Sequence, residues 1–179
     1  MRKYLNLLLL LLVMGSVLAL AVTHHSRPVI VPTPNPTPTT TTSLVLGVTQ
    51  SDQCDESLWA HIYNPTRLQV IAKCITVTGT IYSVKAEPDG DFHIQVQLDN
   101  QYEHLLNAKN RSDQLGKLVV EPVCLNPVKQ ADAEAACQGF KQQLTVPPVG
   151  THVTIIGDYV LDVPHGWNEI HPVTHIDPL

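Results

Sequence analysis

The stretch ITVTGTIYSVKAEPDGDFHIQVQLD, residues 75–99, settles into a repeat of two and decides the fold class. Ile75, Val77, Gly79 and Ile81 fall on one side and Thr76, Thr78, Thr80 and Tyr82 on the other, the pattern of a half-buried strand. A glycine inside such a strand marks a place where it must bend. Pro88-Asp89-Gly90 supplies the preset φ and the permissive glycine of a chain reversal. Beyond the turn, Phe92, Ile94, Val96 and Leu98 read inward and His93, Gln95, Gln97 and Asp99 outward. Two strands joined by a tight turn are expected, and the class is mainly β.

Working outward, a polar loop over residues 100–116 leads to KLVVEPVC, residues 117–124, a third strand. NPVKQADAEAACQGF, residues 126–140, is alanine-rich and helical in composition, with Gly139 as its stop. HVTIIGDYVLD, residues 152–162, alternates again, with Val153, Ile155, Gly157 and Tyr159 on one side; WNEIHPVTHI, residues 167–176, makes the last strand. Three strands, one helix and two strands, preceded by an irregular segment, is the order of an OB-fold. The expected architecture is a five-stranded OB-fold-like barrel over residues 51–179, with the helix between strands three and four and a disulfide-tied N-terminal segment. An open sheet with one helix stays open as the alternative.

Ahead of this domain, Arg2 and Lys3 precede an apolar run over residues 5–22, which reads as a signal peptide or an uncleaved N-terminal membrane anchor, residues 1–21. Residues 22–50 are a Pro/Thr-rich linker, stiffened where proline recurs. Cleavage after Ala21 removes two of the 11 basic residues and none of the 16 acidic ones, taking the formal charge from −5 to −7. That balance, without a basic stripe, disfavours nucleic acid as a partner and leaves membrane contact to the N-terminal segment. The four cysteines form no CxxC pair, and in an exported chain they are expected as Cys54–Cys74 and Cys124–Cys137, each closing a short loop. Asn110-Arg111-Ser112 is a glycosylation sequon, so Asn110 is a candidate acceptor.

The closing LDVPHGWNEIHPVTHIDP, residues 161–178, gathers the candidate chemistry. If Ile170 points to the core, Trp167, Glu169 and His171 share the opposite face, with alternate residues about 6.5–7 Å apart. His165, Trp167, Glu169 and His171 are the candidate ligand-binding residues. Asp162, His165, Glu169 and His171 are a candidate set for a divalent metal such as zinc. His93, on an outward strand face, is a reserve ligand. The structural alternative stays open as well: a tight turn at Gly166, a tryptophan plugging the rim, and an ion pair between Glu169 and His171 worth under about 1 kcal/mol.

The segments VTGTIYSVKAEPDGDFHIQVQLD, LVVEPVC and GDYVLDVPHGWNEIHPV resemble a group of uncharacterised exported prokaryotic proteins with a barrel-like domain ending in an HGWxEIHPV strand. The resemblance runs over residues 54–176 and implies fold and export, with no activity to carry across. Arg67 and Arg111 lie outside the expected strands, and only Asp99 and Glu121 lie near strand ends. The Arg and Asp/Glu constellation of secreted nucleases on an OB-type barrel is therefore not expected. G-x-S-x-G, P-loop, H-E-x-x-H and dinucleotide fingerprints are absent from the sequence. The expected function is an exported or surface-tethered module binding a small ligand, glycan or peptide through the turn before the last strand. A metal-binding protein or metal-dependent hydrolase using the same cluster is the alternative.

Overall fold

The alternation over residues 75–99 becomes two paired strands in the computed structural model, which describes residues 42–43 and 47–179. In chain order the regular elements are β1 (Thr42–Ser43), β2 (Val48–Gln50), β3 (Leu68–Ala86), β4 (Phe92–Leu98), α1 (Ala108–Asp113), β5 (Leu118–Val120), α2 (Glu134–Cys137), β6 (His152–Asp162) and β7 (Asn168–Pro178). Short 3-10 turns intervene at Glu56–His61, Pro65–Arg67, Asn100–Leu105 and Ala131–Ala133. The protein is mainly β. The signal peptide or anchor expected over residues 1–21 lies outside the described residues, as does most of the expected linker. Among the described residues no helix is long and apolar enough to cross a membrane.

β3 is long enough to serve two partners. Its C-terminal half pairs antiparallel with β4 from Gly79↔Leu98 to Ala86↔Phe92, and its N-terminal part pairs with β6 from Leu68↔Asp162 to Thr80↔His152. Register shifts interrupt both ladders, and such bulges add the twist that lets one strand change neighbours. β4 pairs with β5, β5 runs parallel to β7, and β7 returns antiparallel to β6, so hydrogen bonding passes around a ring of strands back to β3. The expected alternation holds: Ile75, Val77 and Ile81 join Ile94, Val96, Leu98, Val153, Ile155, Tyr159 and Ile170 in one apolar core.

Two glycines belong to strand approach. A Cβ on Gly79 would stand 2.5 Å from the Gln97 carbonyl oxygen, and one on Gly157 would stand 2.5 Å from both the Pro172 carbonyl oxygen and Ile170 Cγ2. The Gly157 contact lies where the β6–β7 register slips, and Pro172 occupies that interruption, where a residue without an amide proton breaks no ladder bond.

Several elements differ from the sequence expectation. β3 begins at Leu68, and residues 48–50, assigned above to the linker, pair with β3 and bury Val48 in the core. The polar loop over residues 100–116 contains α1, because Asn107 caps it: its side chain accepts from the Lys109 and Asn110 amides, and Asn110 reaches back to the Asn107 amide. The helix expected over residues 126–140 shrinks to one 3-10 turn and the single turn of α2. Residues 122–130 are drawn out instead to bond the β3–β4 turn, Asn126 N to Gly90 O at 2.9 Å and Lys129 N to Pro88 O at 2.7 Å.

Both disulfides form as expected, Cys54–Cys74 and Cys124–Cys137, bonds that persist in oxidising surroundings. The second ties α2 to the end of β5, beside a smaller apolar cluster of Leu58, Ile62 and Val123 with Trp59 and Phe140 packed against it. Buried Asp158 anchors the N-terminal segment: it accepts from the Trp59 indole at 2.6 Å, the Lys73 ammonium at 2.8 Å and the Cys74 amide at 2.8 Å.

Candidate functional site

Ile170 of β7 points into the core, so Glu169 and His171 turn to the other side of the ring. Strand geometry alone would leave that side to solvent. Here both side chains are fully buried, because the β3–β4 turn and the chain after β5 fold over them and contribute Asp91 and Glu121. Arg67, from the 3-10 turn before β3, completes the enclosure.

The result is a chain of charges. Arg67 donates to Asp162, with its guanidinium also 3.7 Å from Glu169 and 3.7 Å from Glu121. His171 Nδ1 lies 3.1 Å from Glu121 Oε2 and 3.2 Å from Glu169 Oε1. His93 of β4 places Nδ1 2.9 Å from Glu121 Oε1 and Nε2 3.1 Å from Gln114 Oε1. The Trp167 indole N–H donates to Glu169 Oε2 at 2.9 Å. On the far side of the imidazole, His171 Nε2 faces Asp91 Oδ2 at 3.6 Å.

These partners set the protonation. Burial pulls the His171 pKa down, but the Glu121 and Glu169 carboxylates outweigh it and push the value up to about 10. Burial drives Asp91 up to about 7, the nearby His171 offsetting part of the rise. Burial would also raise Glu121, yet hydrogen bonds from His171 and His93 hold it well below the ordinary carboxylate range. Glu169 goes the other way, raised by burial and by the charge on Glu121. His93 is raised because Glu121 and Gln114 accept from its ring, against the opposing effect of burial.

In front of Glu121 opens a pocket of ≈ 470 Å³ whose walls include Arg67, Asp89, His93, Gln114, Asp162 and Trp167. His165 stacks on Trp167, ring centroids 4.3 Å apart and planes 1° from parallel, while His93 meets the same indole edge-on at 6.1 Å. Carboxylates, amides, imidazoles and a flat ring stack therefore converge on one concave surface, suited to orienting a small polar molecule.

The four expected ligand-binding residues divide between two depths. His165 and Trp167 line the pocket; Glu169 and His171 lie behind it and support it. Of the candidate metal set, Asp162 and His165 pair with each other at 2.9 Å, Glu169 pairs with His171, and Arg67 stands against both Asp162 and Glu169. The reserve ligand His93 lies in the pocket wall. Arg67, set aside in the sequence because it falls outside the expected strands, and Glu121, noted there only as lying near a strand end, meet at the centre. They sit 54 positions apart, and Arg67 and Asp162 95 apart, so no periodic signal joins them. Asp91, the residue after the Pro88-Asp89-Gly90 reversal, carries no periodic signal of its own. The sequon acceptor Asn110 is a correction: it is fully buried, donates to the Lys117 and Asn168 carbonyls at 3.2 and 2.8 Å and accepts from the Asn168 amide at 2.9 Å, which leaves no room for a glycan in the folded domain. Comparison of the chain with protein-family models, curated proteins and solved structures gave no match.

Proposed function

We propose that this chain is an exported binding module built on an OB-fold-like five-stranded barrel, of the kind represented by the HGWxEIHPV proteins, and that it takes a small polar ligand of net positive charge. The ring of strands from β3 through β4, β5, β7 and β6, with α2 between β5 and β6, supports the barrel reading. The observation that carries the functional reading is the pocket itself. Its walls hold the carboxylates of Glu87, Asp89, Glu121 and Asp162; Lys85 pairs with Glu87, Arg67 with Asp162, and His93 and His171 with Glu121, so Asp89 is the wall carboxylate that no ion pair engages among the described residues. A concave surface with an excess of one charge concentrates ligands of the other. Ser83, Gln95, Gln114 and Gln130 add neutral donors and acceptors for orientation. A metal-dependent hydrolase working through Asp162, His165, Glu169 and His171 is less well supported, because the Arg67 guanidinium supplies the cation among those carboxylates.

The test is a titration of the protein with three small sugars of one ring type, glucosamine, glucose and glucuronate, and with spermidine and lysine, followed by the Trp167 indole N–H and the Gln95 and Gln114 side-chain amide resonances. Saturable shifts are expected for the cationic probes, weaker ones for glucose and none for glucuronate, with loss of response in Asp89→Ala and His165→Ala. Equal responses to glucosamine and glucuronate, or silence of these resonances with every probe, would overturn the reading.

A further inference from the structure

Behind the pocket, two buried atoms face each other without a hydrogen-bond partner among the described residues: His171 Nε2 and Asp91 Oδ2. Their side chains are 0% and 4% exposed. Asp91 is held in place by its other oxygen, which accepts the Cys124 amide at 2.8 Å. His171 is held by its other nitrogen, which meets Glu121 and Glu169 at 3.1 and 3.2 Å. Two carboxylates hold Nδ1, so Nε2 is the ring atom turned toward Asp91.

Something positive belongs between a ring nitrogen and a carboxylate oxygen: the Nε2 proton, or a metal ion that displaces it. The separation selects among the candidates. At 3.6 Å the two atoms are too far apart for an N–H···O hydrogen bond, which spans 2.7–3.2 Å. They match the spacing of two ligands that each stand about 2.0–2.2 Å from one ion. A ligand oxygen of Glu121 lies within 4.8 Å of donor atoms of both. The carboxylate–imidazole relay on Nδ1 is also the arrangement that orients a metal-bound histidine and raises its donor strength.

We infer that Asp91 Oδ2 and His171 Nε2, with Glu121 beside them as the third donor residue, bind a divalent transition-metal ion of the zinc class. Nitrogen and carboxylate donors suit zinc, and exclude the thiolate-rich chemistry of softer ions. The ion would sit in a cluster in which four carboxylates, Asp91, Glu121, Asp162 and Glu169, lie among the Arg67 guanidinium and the His93, His165 and His171 imidazoles. It would be enclosed by the β3–β4 turn and by the chain leading to Cys124, so loading accompanies folding. This set shares only His171 with the one read from the tail, and it does not depend on what occupies the pocket.

The experiment uses the full chain exported into an oxidising compartment without a polyhistidine tag, with metal content measured by elemental analysis before and after refolding with Zn²⁺ or Co²⁺. One ion per chain is expected, together with the visible d–d spectrum of protein-bound Co²⁺ and a shift of the His171 Nε2 resonance on loading. Asp91→Asn keeps the bond to the Cys124 amide and is expected to weaken Zn²⁺ binding at least tenfold while circular dichroism stays unchanged. Glu121→Gln should weaken it by about 10–100-fold if that carboxylate only orients the ring, and more if it ligates. Metal-free protein after refolding, full metal content in Asp91→Asn, or an Nε2 proton persisting in Zn²⁺-treated wild type would each overturn the site. If Asp91→Asn fails to fold, the wild-type Co²⁺ spectrum and the His171 resonance decide alone.

Discussion

Replacing Arg67 with methionine keeps most of the side-chain volume and removes the charge that Asp162 and Glu169 share. Both carboxylates are 1% exposed and Arg67 itself 14%, so water cannot take over. Breaking a buried ion pair from one side costs about 3–5 kcal/mol. The protein has one way out, which is to take up a proton. At about 1.36 kcal/mol per pH unit, protonating a carboxylate of ordinary pKa costs about 4 kcal/mol at pH 7 and about 1.5 kcal/mol at pH 5. The Arg67→Met deficit should therefore be about 3–4 kcal/mol at pH 7 and shrink to about half of that or less at pH 5. For a domain of this size the neutral-pH deficit lowers Tm by roughly 10–15 °C. Urea denaturation with both disulfides intact, at the two pH values, measures it, and Arg67→Met/Asp162→Asn should recover much of the loss. A variant within about 1 kcal/mol of wild type at pH 7, or a deficit equal at both pH values, would refute the placement of Arg67 as the internal cation.

Gly157→Ala places a methyl 2.5 Å from the Pro172 carbonyl oxygen, a backbone atom, and from Ile170 Cγ2, so thermal unfolding should show a loss of at least about 1–3 kcal/mol, whereas Gly150→Ala, with open space around it, loses only through its positive φ. Asp99 is held below its ordinary pKa by the Thr78 hydroxyl and by His152, against a smaller opposing effect of burial, so it contributes stability that is present above the unfolded pKa and lost as pH falls through the folded one. Asp99→Asn should flatten the acid limb of the stability profile by under about 1 kcal/mol, since this pair is partly exposed; an unchanged acid limb would count against it. Replacing Cys54 and Cys74 together with serine opens a loop of sequence separation 20 and should cost about 3 kcal/mol in chemical denaturation; a cost near zero would mean that Asp158 alone holds the N-terminal segment.

The strand pattern was legible because it is local. Successive residues of a strand point to opposite faces, so the spacing of Ile75, Val77 and Ile81, or of Ile94, Val96 and Leu98, states which side is apolar without reference to any partner. Ile170 followed from the same rule, and with it the shared side of Trp167, Glu169 and His171. The disulfides followed from the short loops that each pairing closes. What period two leaves unsaid is what covers the polar side. Glu169 and His171 are buried because the β3–β4 turn brings Asp91 and the end of β5 brings Glu121, an outcome of strand order and register.

The amino-acid sequence by itself determined the mainly β class, the inward faces, both cysteine pairs and the side of β7 on which the chemistry lies. Tertiary structure alone decided that Arg67 would meet Asp162 and Glu169, that His93 would cross to Glu121, and that Asp91 would stop 3.6 Å from His171. The physical reason is range. Alternation and loop closure act over a few residues, whereas these charges come from positions 28 to 102 apart, and only the closing of the strand ring removes the water that would otherwise keep them independent.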